Sequence, residues 1–279
     1  MTQTANKKKI GISEIKSRLD EIASRKSWEI EIRNLSRSSR NILFDFLNAV
    51  LSKNAVHSSL AGFHIFTGMN EVILNAIKSN LRHLFRKKEI LSRLLQDSNS
   101  MEEAETLLNA ILATSPLRDA MERYIIPEKI KLSVNHILLL ENKIRNNKDL
   151  TDIELEILEK IRREIAEQNL YISMKIVLSD EDLFIRIRNN APITQEGQDK
   201  IQNSRLLHKR LFEEGHSADF FRMENMNESE SAGLGIALVD EGYYNMALDP
   251  MEFFNITSSS KAATIYMKYP LESLRNLQE

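Results

Sequence analysis

The sequence contains no cysteine, an absence that excludes disulfides, thiolate zinc sites and cysteine nucleophiles. Its 279 residues include only 8 glycines and 5 prolines, a scarcity that favours long helices over a loop-rich β fold. No apolar run approaches the ~18 residues that a membrane helix needs, and residues 1–16 lack the apolar core of a signal peptide. We therefore expect a soluble, cytoplasmic, helix-rich protein that does not bind membranes.

The net charge of −2 is unevenly distributed along the chain. Residues 1–90 hold 16 lysines and arginines against 8 acidic residues, whereas residues 91–279 hold 22 against 32. A basic first third is compatible with nucleic-acid binding. No aromatic residues are interleaved with these charges as stacking platforms, so a solvated surface is the favoured interpretation.

Hydrophobic periodicity predicts an alternation of helical and strand-like segments. The apolar residues of 12–25 recur at helical spacing, and they either pack on the core or pair with a second copy in a homodimer. Residues 194–231 are polar and predict an irregular segment, with a helix at 201–213 and a mobile loop. The other predicted elements are a strand at 28–33, helices at 38–54 and 69–88, and hairpins at 170–188 and 253–269. A helical region is predicted at 89–168, and its last helix has the apolar stripe Ile153, Ile157, Ile161 and Ile165.

Four segments carry distinctive motifs. The sequence E-V-I-L-N-A-I-K at 71–78 places Glu71 and Asn75 one helical turn apart on one face, although a solvated helix also shows such spacing. The sequence A-G-L-G-I-A-L-V at 232–239 sets glycines at the start of a helix, where backbone N–H groups can approach phosphates. The first hairpin ends in R-N-N-A-P-I at 188–193, and the second hairpin ends at Pro270.

In their order along the chain, the four segments resemble the GHKL superfamily of ATP-binding domains, which includes sensor histidine kinases and anti-sigma serine kinases. The resemblance covers roughly 28–85 and 168–271. It implies an α+β fold, a two-layer α/β sandwich of the histidine-kinase-like ATPase type. The implied organisation is an N-terminal helical segment at 1–27, the first part of the domain at 28–88, a large helical insertion at 89–168 and the second part at 169–279.

The resemblance also implies a site for ATP and Mg²⁺. Asn75 would hold the metal through its amide oxygen, and Glu71 would orient or deprotonate the attacking group. The polar segment 194–231 would be the lid that closes over ATP. The nucleotide-binding residues implied by the resemblance are Asn75, Lys78, Asn189, Asn190, Gly233, Leu234 and Gly235.

The chain departs from the superfamily pattern at the end of the first hairpin. Asn189 stands where the superfamily has an aspartate for the adenine amino group, and Ala191 replaces a glycine. The lost charge-assisted hydrogen bond is worth ~1.5–3 kcal/mol, so Asn189→Asp is expected to raise ATP affinity in an otherwise intact pocket. None of the six histidines lies in an H-E-x-x-T-P-like motif, and self-phosphorylation on histidine is not expected.

Three functions follow from these observations. The first is a signal-transduction regulatory protein that binds ATP·Mg²⁺ and acts on a separate protein, such as a response regulator, a sigma factor or an anti-sigma antagonist. If the site is active, the chain is a protein kinase or ATPase of the GHKL type. The first alternative is a non-catalytic scaffold that binds its partner through the helical insertion. The second alternative is a helical nucleic-acid-binding protein.

Overall fold

The computed structural model describes residues 10–122, 127–226 and 232–277. Its strands are β1 Ser27–Ile32, β2 Ile172–Leu178, β3 Asp182–Asn189, β4 Phe254–Ser258 and β5 Ala263–Pro270. They form one antiparallel sheet with the order β1-β2-β3-β5-β4. The predicted strand at 28–33 and both predicted hairpins are confirmed.

Side chains alternate along each strand between a buried face and a more exposed face of the sheet. In β3, for example, Leu183 and Ile185 are buried, whereas Phe184 is exposed. Such alternation is expected when helices cover only one face of an antiparallel sheet. One row of apolar side chains crosses all five strands on the covered face and consists of Ile30, Met174, Ile187, Ile265 and Ile256.

The N-terminal part contributes four helices, two of them short. They are α1 Ile12–Ser17, α2 Leu19–Ile22, α3 Arg37–Lys53 and α4 Ser59–Asp97. Helix α4 has 39 residues and is capped by Ser58, whose hydroxyl accepts a hydrogen bond from the backbone N–H of Ala61. The helix predicted at 69–88 is therefore longer at both ends, and it runs unbroken through the expected boundary between residues 88 and 89.

Residues 12–25 form two short helices, so the prediction of one amphipathic helix was wrong. The hydroxyl of Ser17 donates to the carbonyl of Glu14, which competes with the helical hydrogen-bond pattern. The backbone then leaves the helical region at Arg18, with φ −137° and ψ 35°. Ile15 and Ile22 are nevertheless buried in the main core. The apolar stripe thus packs within its own chain, as the first of its two interpretations held.

The middle of the chain adds helices α5 Met101–Ala113, α6 Ser115–Glu122, α7 Pro127–Arg145 and α8 Asp152–Glu167. Together with the second half of α4 they enclose a second hydrophobic core, which includes Leu84, Leu108, Leu140 and Leu158. Helix α8 begins with a complete capping box between Thr151 and Glu154.

The predicted apolar stripe of α8 was only partly correct. Leu158 and Ile161 are buried, but Ile153 is 71% exposed. A four-residue step along an α-helix advances by about 40° more than a full turn. Four isoleucines spaced in this way spread around the helix and cannot all face one core.

The C-terminal part contains α9 Gln195–Glu213, α10 Ser217–Met226, α11 Ala232–Asn245, α12 Pro250–Phe253 and α13 Leu271–Arg275. The helix predicted at 201–213 is therefore confirmed as part of α9. The irregular structure expected around it was wrong, because α9 begins at Gln195 and α10 follows at Ser217. Residues 227–231 of the predicted mobile loop lie outside the described residues. The buried face of α9 includes two polar side chains, Arg205 and His208. Thr194 caps this helix by accepting from the backbone N–H of Gly197.

Candidate functional site

The middle of α4 and the first turns of α11 meet at the residues of two sequence motifs. Glu71 and Asn75 lie one turn apart on α4, and Gly235 of α11 packs directly against them. A methyl group at Gly235 would stand 2.9 Å from Asn75 Nδ2 and 3.1 Å from Glu71 Oε2. Because any side chain at 235 would meet these atoms, glycine allows the two helices to pack this closely.

Asn75 carries an unsatisfied polar atom at this contact. Its Nδ2 is buried and has no hydrogen-bond partner among the residues that the structure describes. Buried polar groups normally have partners, so an orphan calls for an explanation such as a missing ligand. Rotation of the amide by half a turn exchanges Nδ2 and Oδ1, and the same position can therefore offer either a donor or an oxygen ligand.

Glu71 sits in an environment that disfavours its charge. Burial raises the pKa of the Glu71 carboxyl, and the nearby positive charges of Lys78 and Arg40 offset part of this rise. A carboxyl whose pKa is moved toward neutrality is better suited to accept and return a proton than an ordinary surface glutamate. The environment of Glu71 is thus compatible with the role that the motif implies.

Replacing Glu71 by glutamine is expected to raise the free energy of unfolding at pH 7, because the variant buries no charge. The gain should shrink as the pH falls through the raised pKa of Glu71 toward 4.5, the ordinary pKa of glutamate, since protonation neutralises the wild-type side chain in the folded protein over this range. Urea unfolding at pH 7 and pH 4 measures the difference. The exposed Glu105 provides the control, and Glu105→Gln should change stability at neither pH. A less stable Glu71→Gln protein at pH 7 would contradict this account.

Three further predicted residues lie at the edges of this contact. Lys78 is half-buried and lies one turn beyond Asn75 on α4, close enough to act on the charge of Glu71. Gly233 and Leu234 belong to the first turn of α11. Backbone N–H groups in the first turn of a helix lack partners within the helix and favour anions.

Asn189 and Asn190 make internal hydrogen bonds instead of joining this cluster. Asn189 is only 1% exposed, and its Nδ2 donates to Asn80 Oδ1 at 3.3 Å and to the carbonyl of Ala191 at 3.1 Å. Asn190 accepts from the backbone N–H of Tyr171 and donates to the carbonyl of Asn169. These hydrogen bonds connect the end of the first hairpin to helix α4 and to residues 169–171.

Sequence reasoning missed Asn80, Arg40 and the groups that anchor α9. Asn80 lies on the apolar face of α4, seven residues after Ile73. A polar residue on such a face indicates a buried hydrogen-bond partner, so the sequence did contain a signal for Asn80. Arg40 comes from another helix and belongs to no motif. The segment expected to be a lid is anchored by a buried ion pair, in which Arg205 Nη2 lies 2.9 Å from Asp240 Oδ1.

No family model, curated protein or solved structure matches this chain. The described residues contain no group of three or more acidic or histidine side chains arranged to hold a metal ion. Across the same residues, no helix combines the length and apolar character needed to cross a lipid bilayer.

Proposed function

We propose that this chain is a signal-transduction regulatory protein that binds ATP·Mg²⁺ in a divergent GHKL-like domain and acts on a separate protein. One observation carries the proposal: Gly235 of the glycine motif packs against Glu71 and Asn75 of the asparagine motif. The two motifs are 160 residues apart in the sequence, counted from Asn75 to Gly235. Their contact is what a shared phosphate and metal site requires.

The residues at this contact fit a magnesium nucleotide. Mg²⁺ prefers oxygen ligands and often takes only one or two from the protein, the rest being water and phosphate. Asn75 would hold the ion, the first turn of α11 would face the phosphates and Lys78 would add a positive charge. When bound, the ion neutralises phosphate oxygens. The orphaned amide of Asn75 supports this assignment because a bound group would satisfy it.

A protein partner is supported by the surface of the helical region. Leu132 and Leu139, seven residues apart on α7, are 68% and 55% exposed. Residues at this spacing lie on the same side of a helix. Two large apolar side chains on one exposed stripe offer a contact surface for another protein.

The test is thermal unfolding with and without ATP·Mg²⁺, repeated with Asn75→Ala. At about 100 times its Kd, a ligand stabilises the native state by about 2.7 kcal/mol, which corresponds to about 5–10 °C in a protein of this size. We expect this shift in the wild type and its loss in Asn75→Ala. Asn135→Ala, at an exposed position on α7, is the matched control and should retain it.

Gly235→Ala provides a second variant with the same expected result, since its methyl group would displace the amide of Asn75. Gly242→Ala in the same helix is its control, because a methyl there meets its neighbours only at 3.7 Å or more. An equal shift in Asn75→Ala and the wild type would refute the site.

A non-catalytic scaffold is the second candidate, and the bonds of Asn189 favour it. In the superfamily this position accepts a hydrogen bond from adenine, but here the side chain is buried and donates to two internal oxygens. Absence of any shift with millimolar nucleotide in the wild type would favour the scaffold over the nucleotide-binding protein.

A further inference from the structure

A cavity of about 190 Å³ lies where the helical region joins the sheet-bearing part. Its walls come from residues 33–35 after β1 and from α4, α7 and α8. Nine leucine and isoleucine side chains line it, among them Leu74, Leu138 and Ile165. An apolar chain or ring in this space would be removed from water on most sides.

The lining of the cavity carries an excess of positive charge. Arg33, Arg145, Arg162 and Glu141 line it together with the apolar residues. Arg162 binds Glu141 through two hydrogen bonds of 3.0 Å, so this pair is neutral as a unit. Arg33 pairs with Glu31 outside the cavity at 3.0 Å. Of the three arginines, Arg145 is the one with a buried nitrogen that has no hydrogen-bond partner among the described residues.

The positive charge of Arg145 is only partly balanced by the groups around it. Its Nε is buried and has no hydrogen-bond partner within residues 10–122, 127–226 and 232–277. Burial and the nearby charge of Arg40 both lower the pKa of Arg145, and Glu141 offsets this only in part. A carboxylate in the cavity would accept hydrogen bonds from the partly exposed guanidinium and reduce the repulsion between the two arginines.

We propose that this cavity binds a small amphipathic carboxylate, with its apolar body among the leucines and isoleucines and its carboxylate on Arg145. The planar guanidinium matches a carboxylate with two parallel hydrogen bonds. A cavity of about 150 Å³ accommodates one benzene molecule, so the present volume fits one ring or a short alkyl chain. This proposal does not depend on nucleotide binding at Asn75.

Calorimetric titration of the full chain without nucleotide tests the proposal with three probes of equal chain length: octanoate, octan-1-ol and octylammonium. We expect octanoate to bind at least about tenfold more tightly than octan-1-ol, and octylammonium to bind more weakly than either. Equal binding of the acid and the alcohol would overturn the role of Arg145, and no binding of octanoate would overturn the site.

Arg145→Gln should weaken octanoate by at least about tenfold and leave octan-1-ol unchanged. Arg163→Gln makes the same charge change at an exposed position of α8 outside the cavity, and it should behave as the wild type. Equal losses in the two variants would show a general charge effect and overturn the assignment.

Methyl NMR of the wild-type protein locates the ligand without any substitution. Octanoate should shift the methyl signals of Leu138 and Ile165, which line the cavity, and leave exposed Leu132 unchanged. Shifts confined to residues outside the cavity would overturn the proposal, even if Arg145→Gln failed to fold.

Discussion

Replacing Asp240 by alanine is expected to lower the free energy of unfolding by about 3–5 kcal/mol, because it leaves a buried guanidinium without its counter-charge. Arg205 on α9 is 6% exposed and Asp240 on α11 is 0% exposed. The Nε and Nη2 atoms of Arg205 both donate to the carboxylate, and Nη2 also donates to the carbonyl of Pro250. The guanidinium further lies 4.7 Å from the centre of the Phe254 ring.

Urea unfolding measures this loss, and Asp45→Ala is the matched control on an exposed site of α3, where a change within about 0.5 kcal/mol is expected. A double variant, Arg205→Met with Asp240→Leu, separates the two contributions. Removing both charges should cost less than removing the aspartate alone, because no unpaired ion remains. A double variant less stable than Asp240→Ala would contradict this explanation.

The same ion pair shows why the packing of α9 could not be predicted from the sequence, although a helix at 201–213 was. A helix is expected to pack through apolar residues, but the buried face of α9 contains Arg205 and His208. Their partners are Asp240 and Glu241, which lie 35 and 33 residues later in the chain. A polar residue becomes suitable for the interior only through such a partner, and no local pattern identifies a partner so distant.

The sheet was predictable because its information is local. Each strand alternates between a covered and an uncovered face, and the sequence repeats that alternation with a period of two. Met174 and Ile176 of β2 show the pattern, and both are buried as the periodicity indicated. The break at Arg18 also has a local cause, but it depends on one side-chain hydrogen bond that competes with the helix.

Residue spacing predicted the geometry within each motif of the candidate site, whereas only the resemblance linked one motif to the other. The spacing of Glu71 and Asn75 fixes their common face through the geometry of one helix. Their contact with Gly235 depends on how α11 packs against α4, which involves the whole main core. Asn189 was least accessible to prediction, because its partner Asn80 is 109 residues away.

Replacing Asn189 by aspartate is expected to destabilise the protein by about 3–5 kcal/mol at pH 7, in the range seen for unpaired buried charges. The two hydrogen bonds of Asn189 are donated by its amide nitrogen to oxygens of Asn80 and Ala191. A carboxylate has no proton to donate, and it would place negative charge against both oxygens in a site that is 1% exposed. The substitution that would introduce the aspartate expected from the resemblance therefore conflicts with this fold.

Asn255→Asp is the matched control, since it makes the same change at an exposed position of strand β4. Burial raises the pKa of the introduced carboxyl, so the loss in Asn189→Asp should be largest above pH 7 and diminish toward pH 4, where protonation returns one donor. Urea unfolding across this pH range measures the difference between the variants. ATP affinity, measured on the same proteins, should not rise in Asn189→Asp. A stable variant with increased ATP affinity would instead show that the side chain can turn toward a nucleotide, and it would strengthen the catalytic interpretation over the scaffold.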